Sequence, residues 1–316
     1  MAWSQPVSEP ESIIDRFFAE DPQRGELGVD HDDEHFRSGF VSIVGRPNVG
    51  KSTLINQILG EKVSIISPSP NTTRTSVRGV LNGEGFQAVF VDTPGIHKPR
   101  SALGRRLNAT ATDAFGGVDL CLFVVDASAK IGPGDRFIAA QLPKHTIVVV
   151  NKIDVTKENS LVEQLNRAVE ELGLQDAEYF PISARTGKGV RGLVAHLASR
   201  LPEGPRYYPS GIVRDAPDEF YVAELVREQL LRNAREELPH SIACRVTEWE
   251  WPYIRCEILV ERESQKAIVV GKGGAVIKAA GVAARAQLPE GAYLDLIVRV
   301  ERDWQKRLDV IERLGY

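Results

Sequence analysis

Short apolar runs alternate with amphipathic stretches along residues 39–201. The apolar runs are rich in valine, isoleucine and phenylalanine, as in "LCLFVVD" at 120–126 and "TIVVVNK" at 146–152. The stretches between them, such as "SLVEQLNRAVEELG" at 160–173, repeat apolar residues at helical spacing. Because strands that lack polar alternation are buried on both faces, this order predicts a mostly parallel, doubly wound α/β sheet with helices on both sides.

One hairpin signal interrupts this pattern. The stretch "VLNGEGFQAVFV" at 80–91 joins two apolar runs through polar and glycine residues. We expect an antiparallel edge strand there, with the turn at Asn82–Gly83.

The alternation ends at "LPEGPRYYPSG" (201–211), which is rich in proline and glycine and is typical of a linker. Beyond it the pattern predicts a long helix, two strands, a glycine turn, a helix, a strand and a terminal helix, "DWQKRLDVIERLG". This order differs from that of the first half and predicts a separate α+β domain. The predicted division is an acidic arm at 1–37, an α/β domain at 38–201, a linker at 202–211 and an α+β domain at 212–316.

The composition is that of a soluble globular protein. Of the 316 residues, 42% are hydrophobic and 26% are charged, and no apolar run approaches the roughly 18 residues of a membrane span. The N-terminus lacks the basic-then-apolar pattern of a signal peptide, so we expect a cytoplasmic protein. Cysteines stand alone in apolar segments, which favours buried thiols over a metal site or a disulfide at Cys121, Cys244 and Cys256.

The net charge of −4 conceals an asymmetry between the arm and the rest of the chain. Residues 1–36 carry a net charge of −8, and the remaining residues carry +4. The arm combines acidic residues, prolines and glycines with little periodicity, so we expect it to be disordered. The mildly basic remainder is compatible with an anionic partner.

A phosphate-binding motif follows the first predicted strand and opens a helix. It satisfies G-x-x-x-x-G-K-[ST], in which glycines let backbone N–H groups point at phosphate oxygens and the helix adds its positive dipole end. Lys51 supplies a charge for the β- and γ-phosphates, and the Ser52 hydroxyl is a ligand for Mg²⁺. The predicted phosphate loop comprises Gly45, Arg46, Pro47, Asn48, Val49, Gly50, Lys51, Ser52 and Thr53.

A second motif selects the base. "VVVNKID" at 148–154 places Asn151, Lys152 and Asp154 at the end of an apolar strand, where ligands bind in open α/β sheets. The Asp154 carboxylate only accepts hydrogen bonds, and guanine, unlike adenine, offers two adjacent donors to it. The Lys152 stem can lie along the ring, and Asn151 can tie this loop to the phosphate loop. The predicted ligand is therefore GTP or GDP.

Two other segments carry groups for the phosphates and the metal. "VFVDTPG" ends with Asp92, which can hold Mg²⁺ through water, and Gly95, whose N–H can meet the γ-phosphate. In the polar loop "SPNTTRTS" we expect the Thr73 hydroxyl, with Thr72 as the alternative, to close over Mg²⁺ when the γ-phosphate is present. The predicted metal ligands are Ser52, Thr73 and Asp92, and the predicted catalytic residues are Lys51, Thr73, Asp92 and Gly95.

The end of another strand, "PISARTG", completes the predicted base pocket. We expect the Ala184 N–H to donate to guanine O6, beside Ser183 and Arg185. Beyond the phosphate loop, the predicted nucleotide-binding residues are Asp92, Thr93, Pro94, Gly95, Ile96, Asn151, Lys152, Ile153, Asp154, Ser183, Ala184 and Arg185.

Taken together, "GRPNVGKST", "NTTRTS", "DTPGIHKP", "NKID" and "SAR" resemble the translation-factor-related bacterial GTPases of the TrmE-Era-EngA family. The stretches "EELPHSI", "VERESQKAIVVGKGGAVIK" and "ERLGY" resemble its Era-like members, which end in a type-2 KH domain. The resemblance covers about residues 38–316. It implies a P-loop GTPase domain that uses Mg²⁺ to convert GTP to GDP and phosphate, followed by an RNA-binding KH domain.

The same resemblance implies partners and a location. It implies binding to the 3′ region of 16S rRNA, and a role in 16S rRNA processing and in biogenesis of the 30S ribosomal subunit. It also implies a monomer that contacts the cytoplasmic side of the cell membrane peripherally.

The residues of the second domain are compatible with RNA binding. Between a predicted strand, "AIVV", and a predicted helix lies a G-x-x-G loop, the KH arrangement that clamps a single-stranded RNA backbone. Its predicted RNA-binding residues are Gly271, Lys272, Gly273, Gly274 and Lys278, with Ile268, Val269, Ile277 and Val282 as core or groove wall. Residues 206–316 hold 17 basic and 18 acidic residues, so we expect no strong non-specific binding of RNA.

Several points remain open from the sequence. Ile96 stands where Ras-type enzymes use a glutamine to orient water, so we predict slow intrinsic hydrolysis. Asn48 either helps to place a K⁺ ion near the phosphates or only shapes the loop. Two alternative functions are a related GTPase that acts in tRNA modification and a scaffold that binds RNA and merely holds nucleotide.

Overall fold

The computed structural model describes residues 35–67, 72–74, 77–95, 103, 105, 107, 117–143, 146–233 and 241–316. Most of the predicted acidic arm lies outside these residues, as does Ile96. The predictions about the arm and about Ile96 therefore stay predictions.

In the described part of the first half, seven strands form one sheet in the order β6-β5-β4-β1-β3-β2-β7. The strands β1, β3, β4, β5 and β6 run parallel, whereas β2 is antiparallel to β3 and β7 is antiparallel to β2. Their bounds are β1 Arg37–Val44, β2 Val77–Gly83, β3 Phe86–Asp92, β4 Leu120–Asp126, β5 Thr146–Asn151, β6 Glu178–Pro181 and β7 Arg214–Asp215.

Hydrophobic cores lie on both faces of this sheet, which explains why its central strands lack polar residues. In β4, Leu122 and Val124 enter one core, and Phe123 and Val125 enter the other. In this half, the helices whose whole length the structure describes are α1 Lys51–Leu59, α2 Pro133–Ala139, α3 Glu158–Leu172 and α4 Val190–Arg200. Because α1 and α4 cover one face and α2 and α3 the other, the predicted doubly wound architecture is confirmed.

The hairpin is present, but its predicted turn is wrong. Gly83 pairs with Phe86, so the turn consists of Glu84 and Gly85, and Gly85 adopts the left-handed conformation with φ of 71°. Asn82 lies inside the ladder, where its side chain accepts a 2.8 Å hydrogen bond from Gln87 Nε2. The glycine at 85 supplies the positive φ that a turn needs, so the Asn-Gly pair is free to extend the strand.

The segment predicted as a linker packs along the sheet. The Ser38 N–H donates to the Pro202 carbonyl, and Gln87 Oε1 accepts from the N–H groups of Tyr207 and Tyr208. Beyond the segment, β7 extends the same sheet past β2, so β2 is not the outermost strand. The domain boundaries themselves stay a prediction.

The second half forms a three-stranded sheet in the order β10-β9-β8, with β9 antiparallel to β8 and parallel to β10. Helices α5, α6 and α7 pack on one face around Cys256, Ile258 and Val260. The other face carries Leu259, Trp304 and helix α8. The bounds are α5 Asp218–Asn233, β8 Ala243–Glu250, β9 Tyr253–Val260, α6 Glu263–Val270, α7 Ala275–Arg285, β10 Tyr293–Val300 and α8 Leu308–Arg313.

Two elements of this half differ from the prediction. The run "AIVV" at 267–270 ends helix α6 and is not a strand; the Gln265 side chain accepts from the N–H groups of Glu261 and Arg262 and so caps the start of that helix. The predicted terminal helix divides into a short 3₁₀ turn at Trp304–Lys306 and α8. Trp304 Nε1 donates to the Ser241 carbonyl, which fixes the turn against the sheet.

The predicted state of the cysteines is confirmed. Cys121, Cys244 and Cys256 are free thiols and all three are buried. Cys121 lies in the core beneath α2 and α3, whereas Cys244 and Cys256 lie in the core of the second half.

Replacing Phe123 tests the central position of β4. Because Phe123 is fully buried, we expect Phe123→Ala to lower the free energy of unfolding by about 3–5 kcal/mol. The measurement is urea denaturation followed by circular dichroism. The matched control is Phe137→Ala, whose ring is 60% exposed on α2, and equal losses in the two variants would contradict the assignment.

Candidate functional site

The loop between β1 and α1 opens into a cavity of about 350 Å³ at the carboxyl ends of the parallel strands. The phosphate loop, the polar loop after α1 and the end of β5 all contribute to it. The cavity is lined by Pro47, Asn48, Gly50, Lys51, Ser52, Thr53, Ile65, Ile66, Ser67, Thr72, Thr73, Gly95 and Lys152.

Close packing requires the two glycines of the phosphate loop. A Cβ atom at Gly45 would lie 2.4 Å from the Val124 carbonyl oxygen, and one at Gly50 would lie 2.3 Å from Asn151 Nδ2. Gly50 also has φ of 101°, in the region that favours glycine. The two positions therefore accept no side chain without displacing β4 or the base loop.

The Lys51 side chain folds back onto the phosphate loop. Its ammonium donates to the carbonyl oxygens of Gly45 at 3.1 Å and Arg46 at 3.0 Å, and the residue is only 7% exposed. Burial lowers the pKa of Lys51 to about 8, and the Asp92 carboxylate offsets part of this effect. An anionic ligand would complete the solvation of this ammonium.

Several predicted loop residues have side chains that point away from the cavity. Arg46 Nε forms a 2.7 Å ion pair with Asp135 of α2, and Val49 lies in the core. Asn48, by contrast, lines the cavity and has φ of 64°, a conformation that asparagine tolerates better than most residues. The K⁺ role of Asn48 stays a prediction.

Asp92 brings the three predicted metal ligands together. Ser52 Oγ donates to Asp92 Oδ2 at 2.9 Å and lies 3.1 Å from Thr73 Oγ1, while Thr73 Oγ1 lies 3.3 Å from the same carboxylate oxygen. Ser64 Oγ also donates to Asp92 Oδ2, at 2.6 Å, although no sequence motif pointed to this residue. Burial raises the pKa of Asp92, and the three hydroxyls and Lys51 oppose that shift.

This cluster fits Mg²⁺. Hydroxyl and carboxylate oxygens are the ligands that Mg²⁺ prefers, together with water. Asp92 Oδ1 is buried, and no hydrogen-bond partner for it lies in the described part of the chain. The described residues contain no group of three or more histidine, cysteine and acidic side chains that could hold another metal.

The residues after Asp92 hold the strand end against the phosphate loop. Thr93 Oγ1 donates to the Ile43 carbonyl of β1 at 2.7 Å, so its side chain links the end of β3 to β1. A Cβ atom at Gly95 would lie 2.9 Å from the Pro47 nitrogen. Pro94 is buried between these two residues.

Asn151 links the base loop to the phosphate loop, as predicted. Its Nδ2 donates to the Val49 carbonyl at 2.8 Å, and its Oδ1 accepts from the Ala184 N–H at 2.9 Å. The Ala184 N–H, which was expected to donate to guanine O6, is thus used within the protein. The Ile153 N–H donates to the Ile182 carbonyl and keeps the loop beside β6.

Asp154 is held by both flanking residues of Ala184. Ser183 Oγ donates to Asp154 Oδ1 at 2.6 Å, and Arg185 forms a 2.6 Å ion pair with Oδ2. The hydrogen bond from Ser183 and the charge of Arg185 lower the pKa of Asp154. The carboxylate is therefore ionised at neutral pH and is an acceptor only.

Sequence reasoning also missed Asp126. Its Oδ2 lies 2.6 Å from Lys152 Nζ, which also donates to the Asn48 carbonyl at 2.7 Å. Burial opposes ionisation of Asp126, but the hydrogen bonds from Lys152 and Ser128 outweigh it and lower the pKa. The signal was available, because Asp126 ends an apolar strand just as Asp92 does.

The G-x-x-G loop joins two helices. Gly271, Gly273 and Gly274 have φ of 74°, 59° and 78°, and helix α7 begins directly after them. Lys272 and Lys278 are exposed on this side of the domain. The loop thus presents backbone and positive charge to solvent at a helix N-terminus.

Four apolar residues near the loop divide between core and surface. Val269 is buried and Ile277 is half-buried, whereas Ile268 and Val282 are 57% and 52% exposed. The exposed pair lies on α6 and α7, on either side of the G-x-x-G loop. These two side chains can therefore form an apolar wall beside it.

The same region has the length and composition of a membrane span. Residues 263–285 have a mean hydropathy of 1.5 over the most apolar 18 residues, and 17% of that window is buried. The positive φ angles at 271, 273 and 274 interrupt this run, so it is two helices joined by a turn.

Comparison with protein families matches both halves of the chain. Residues 40–152 match the family described as 50S ribosome-binding GTPase, and residues 237–305 match the KH domain family.

Among similar proteins, GTPase Era of Mycobacterium tuberculosis is 45% identical over 298 residues, which span 89% of this chain and 99% of that protein. GTPase Era of Mycolicibacterium paratuberculosis is 46% identical over 297 residues, with the same coverage. A variant of Aquifex aeolicus Era bound to GDP and aluminium fluoride superposes with a TM-score of 0.83 at 36% identity. Era in complex with MgGDPNP and nucleotides 1506–1542 of 16S ribosomal RNA superposes with a TM-score of 0.84 at 37% identity; both structures cover 89% of this chain and 99% of their own.

The lowered pKa of Lys51 predicts proton uptake on nucleotide binding. With a pKa of about 8, half of the free protein has a neutral Lys51 at pH 8, and binding of GDP should take up about half a proton. At pH 7 the uptake should fall to about a tenth of a proton. Isothermal titration calorimetry in two buffers of different ionisation enthalpy measures this number, and equal uptake at the two pH values would contradict the prediction.

Proposed function

This chain belongs to the Era family of GTPases, and we propose that it is a GTP-hydrolysing switch protein whose KH domain binds the 3′ region of 16S rRNA. In this proposal the protein acts in 16S rRNA processing and biogenesis of the 30S subunit. The observation that carries it is the convergence of Ser52, Thr73 and Asp92 beside Lys51, at one end of a cavity whose other end carries the base-selecting loop.

The phosphates lie on the β1–α1 loop in this proposal. Lys51 exchanges its two loop carbonyls for oxygens of the β- and γ-phosphates, and the Gly95 N–H meets the γ-phosphate. Ser52 and Thr73 hold Mg²⁺ through their hydroxyls, and Asp92 holds it through water. When bound, Mg²⁺ neutralises charge that develops on the phosphate oxygens.

Guanine lies against the β5–β6 loops. The ionised Asp154 accepts from guanine N1–H and the exocyclic amine, and Ser183 and Arg185 keep its carboxylate oriented. Lys152 is fixed by Asp126 and the Asn48 carbonyl, which leaves its stem along the ring. Adenine lacks the two adjacent donors that guanine offers to this carboxylate, which disfavours ATP.

Intrinsic hydrolysis is slow in this proposal, because the chain has an isoleucine at position 96 and no glutamine to orient the attacking water. The residues named above position the triphosphate and neutralise its charge, but none of them is placed to take a proton from water. Acceleration then comes from outside the pocket, and K⁺ held with the help of Asn48 is one source.

The KH domain, proposed to span residues 212–316, binds single-stranded RNA through its G-x-x-G loop. The solved Era structure that contains 16S rRNA nucleotides supports this assignment, since it matches 89% of this chain at 37% identity. Lys272 and Lys278 attract the backbone, and Ile268 and Val282 contact bases. A tRNA-modification enzyme is less well supported, because a KH domain occupies the C-terminal part of the chain.

The protein acts in the cytoplasm, where its RNA partner is made. Peripheral contact with the membrane and a monomeric state are parts of the proposal that rest on the family resemblance.

Asp154→Asn tests the nucleotide and its orientation. An amide donates where the carboxylate accepts, so we expect GTP affinity to fall at least about a hundredfold and affinity for xanthosine triphosphate to rise. Xanthine carries a carbonyl where guanine carries the exocyclic amine. The measurement is a fluorescence titration against GTP, xanthosine triphosphate and ATP. Unchanged GTP affinity in the variant, or equal ATP and GTP affinities in the wild type, would refute the proposal.

Gly273→Asp tests the RNA site. Gly273 has φ of 59°, which aspartate tolerates, and a Cβ there meets open space, so the added carboxylate should repel a phosphate without unfolding the domain. We expect affinity for an RNA with the 3′-terminal sequence of 16S rRNA to fall at least about tenfold, with GTP binding unchanged.

Gly291→Asp is the matched control for this variant. Gly291 also has positive φ and open space, but it lies beyond the far end of α7. Fluorescence anisotropy of the labelled RNA measures both variants. Equal losses in the two, or none in either, would contradict the assignment of the loop.

A further inference from the structure

Helix α5 of the second half is buried on all sides although it carries many charges. Residues 222–231 are buried without exception, and they include Glu224, Arg227 and Glu228. One side of the helix, with Leu225, packs in the KH core. The charged side faces the loop between α1 and β2, which carries Thr73.

The charged side of α5 contacts this loop at two points before Thr73. Glu228 Oε1 accepts a 3.0 Å hydrogen bond from the Ile66 N–H, and the Arg227 guanidinium donates to the Thr72 carbonyl. Glu224 pairs with Arg227 at 2.6 Å, so the buried guanidinium keeps its charge. These contacts hold the loop by its backbone.

Arg74, the residue after Thr73, inserts into the KH domain. Its guanidinium donates to the Ile242 carbonyl at 2.7 Å and lies 5.4 Å from the ring centroid of Trp304 and 5.3 Å from that of Tyr316. Arg74 is only 5% exposed. A guanidinium held over two aromatic rings away from water makes favourable cation–π contacts.

The contact also depends on the arrangement of the two domains. The Arg74 guanidinium lies away from water here, and the Ile242 carbonyl and the two rings replace its solvation only while the two domains keep this arrangement.

Thr73 lies between these two anchored residues, and its hydroxyl faces Ser52 and Asp92. Neighbouring Cα atoms are separated by about 3.8 Å, so the Thr73 backbone stays beside the metal cluster while Thr72 and Arg74 stay in place. The position of a predicted metal ligand is thus fixed by groups of the other domain.

We propose that the KH domain supplies positioning residues to the GTPase site: Arg227, Trp304 and Tyr316 hold Thr72–Arg74 so that Thr73 faces Asp92. The inference rests on the proposed function, since Thr73 matters only when the cavity holds GTP with Mg²⁺. The arrangement favours the GTP-bound state over the GDP-bound state, because GDP lacks the phosphate over which the loop closes. Thr73 would be the group that touches the metal, and the three KH residues act through it.

The test compares affinities of the full chain for GDPNP and for GDP, both with Mg²⁺, by titration of fluorescent derivatives. Tyr316→Ala removes one ring of the pair, and we expect GDPNP affinity to fall about tenfold while GDP affinity stays within about twofold. Tyr316→Phe keeps the ring and should restore the wild-type ratio of the two affinities. The matched control is Tyr293→Ala, an exposed tyrosine of the same domain, which should leave the ratio unchanged.

A second variant, Arg74→Met, distinguishes the proposed effect from a folding defect of the KH domain. It removes the charge from the loop and leaves the KH core intact. It should lower the ratio as Tyr316→Ala does, and the two changes together should lower it no further than the larger single effect. A ratio that stays at the wild-type value in both variants, equal losses for both nucleotides, or a Phe variant as impaired as the Ala variant would overturn the inference. Absence of guanine-nucleotide binding by the wild type would instead overturn the proposed function.

Discussion

The buried carboxylate of Asp92 is the group on which the site depends. Removing a carboxylate from water is unfavourable unless donors or a cation compensate. Here the hydroxyls of Ser52, Ser64 and Thr73 surround one oxygen, while the other oxygen has no partner among the described residues. Such a group favours a hydrated divalent cation, and with Lys51 beside it the pocket favours a metal-bound polyphosphate.

The sheet is what brings these groups together from distant parts of the chain. Strands β1, β3, β4 and β5 are parallel neighbours, so their carboxyl ends meet at one edge. The phosphate loop follows β1, and Asp92, Asp126 and Asn151 are the last residues of β3, β4 and β5. Hydrogen bonds from Asn151 and Lys152 to the phosphate loop then join the base-selecting end of the cavity to its phosphate end.

The second domain stabilises part of the first domain. Helix α5 satisfies two requirements at once, because its apolar side completes the KH core and its charged side binds the backbone of the loop that carries Thr73. Buried charges are stable only in pairs or with backbone partners, and Glu224, Arg227 and Glu228 all have them. The stability of an interface built from such pairs depends strongly on their geometry. A small movement of the loop therefore changes contacts in both domains.

The sequence determined the fold class and the identity of the ligand, and it identified most of the residues that line the cavity. It did so because phosphate and guanine impose fixed residue types at fixed spacings, and because continuous apolar runs identify strands buried on both faces. The sequence-based prediction was wrong at two places, where a neighbouring residue favours a different local structure. The turn expected at Asn82–Gly83 lies instead at Glu84–Gly85, because Gly85 supplies the positive φ. The run "AIVV" ends a helix, since a short apolar run fits a strand or a helix equally well, and here the Gln265 side chain caps the start of a helix. Only the tertiary structure showed that Ser64 and Asp126 join the site, and that Arg74 lies over two aromatic rings of the other domain. Those contacts join residues far apart in the chain, and no local pattern encodes which of many polar side chains will meet.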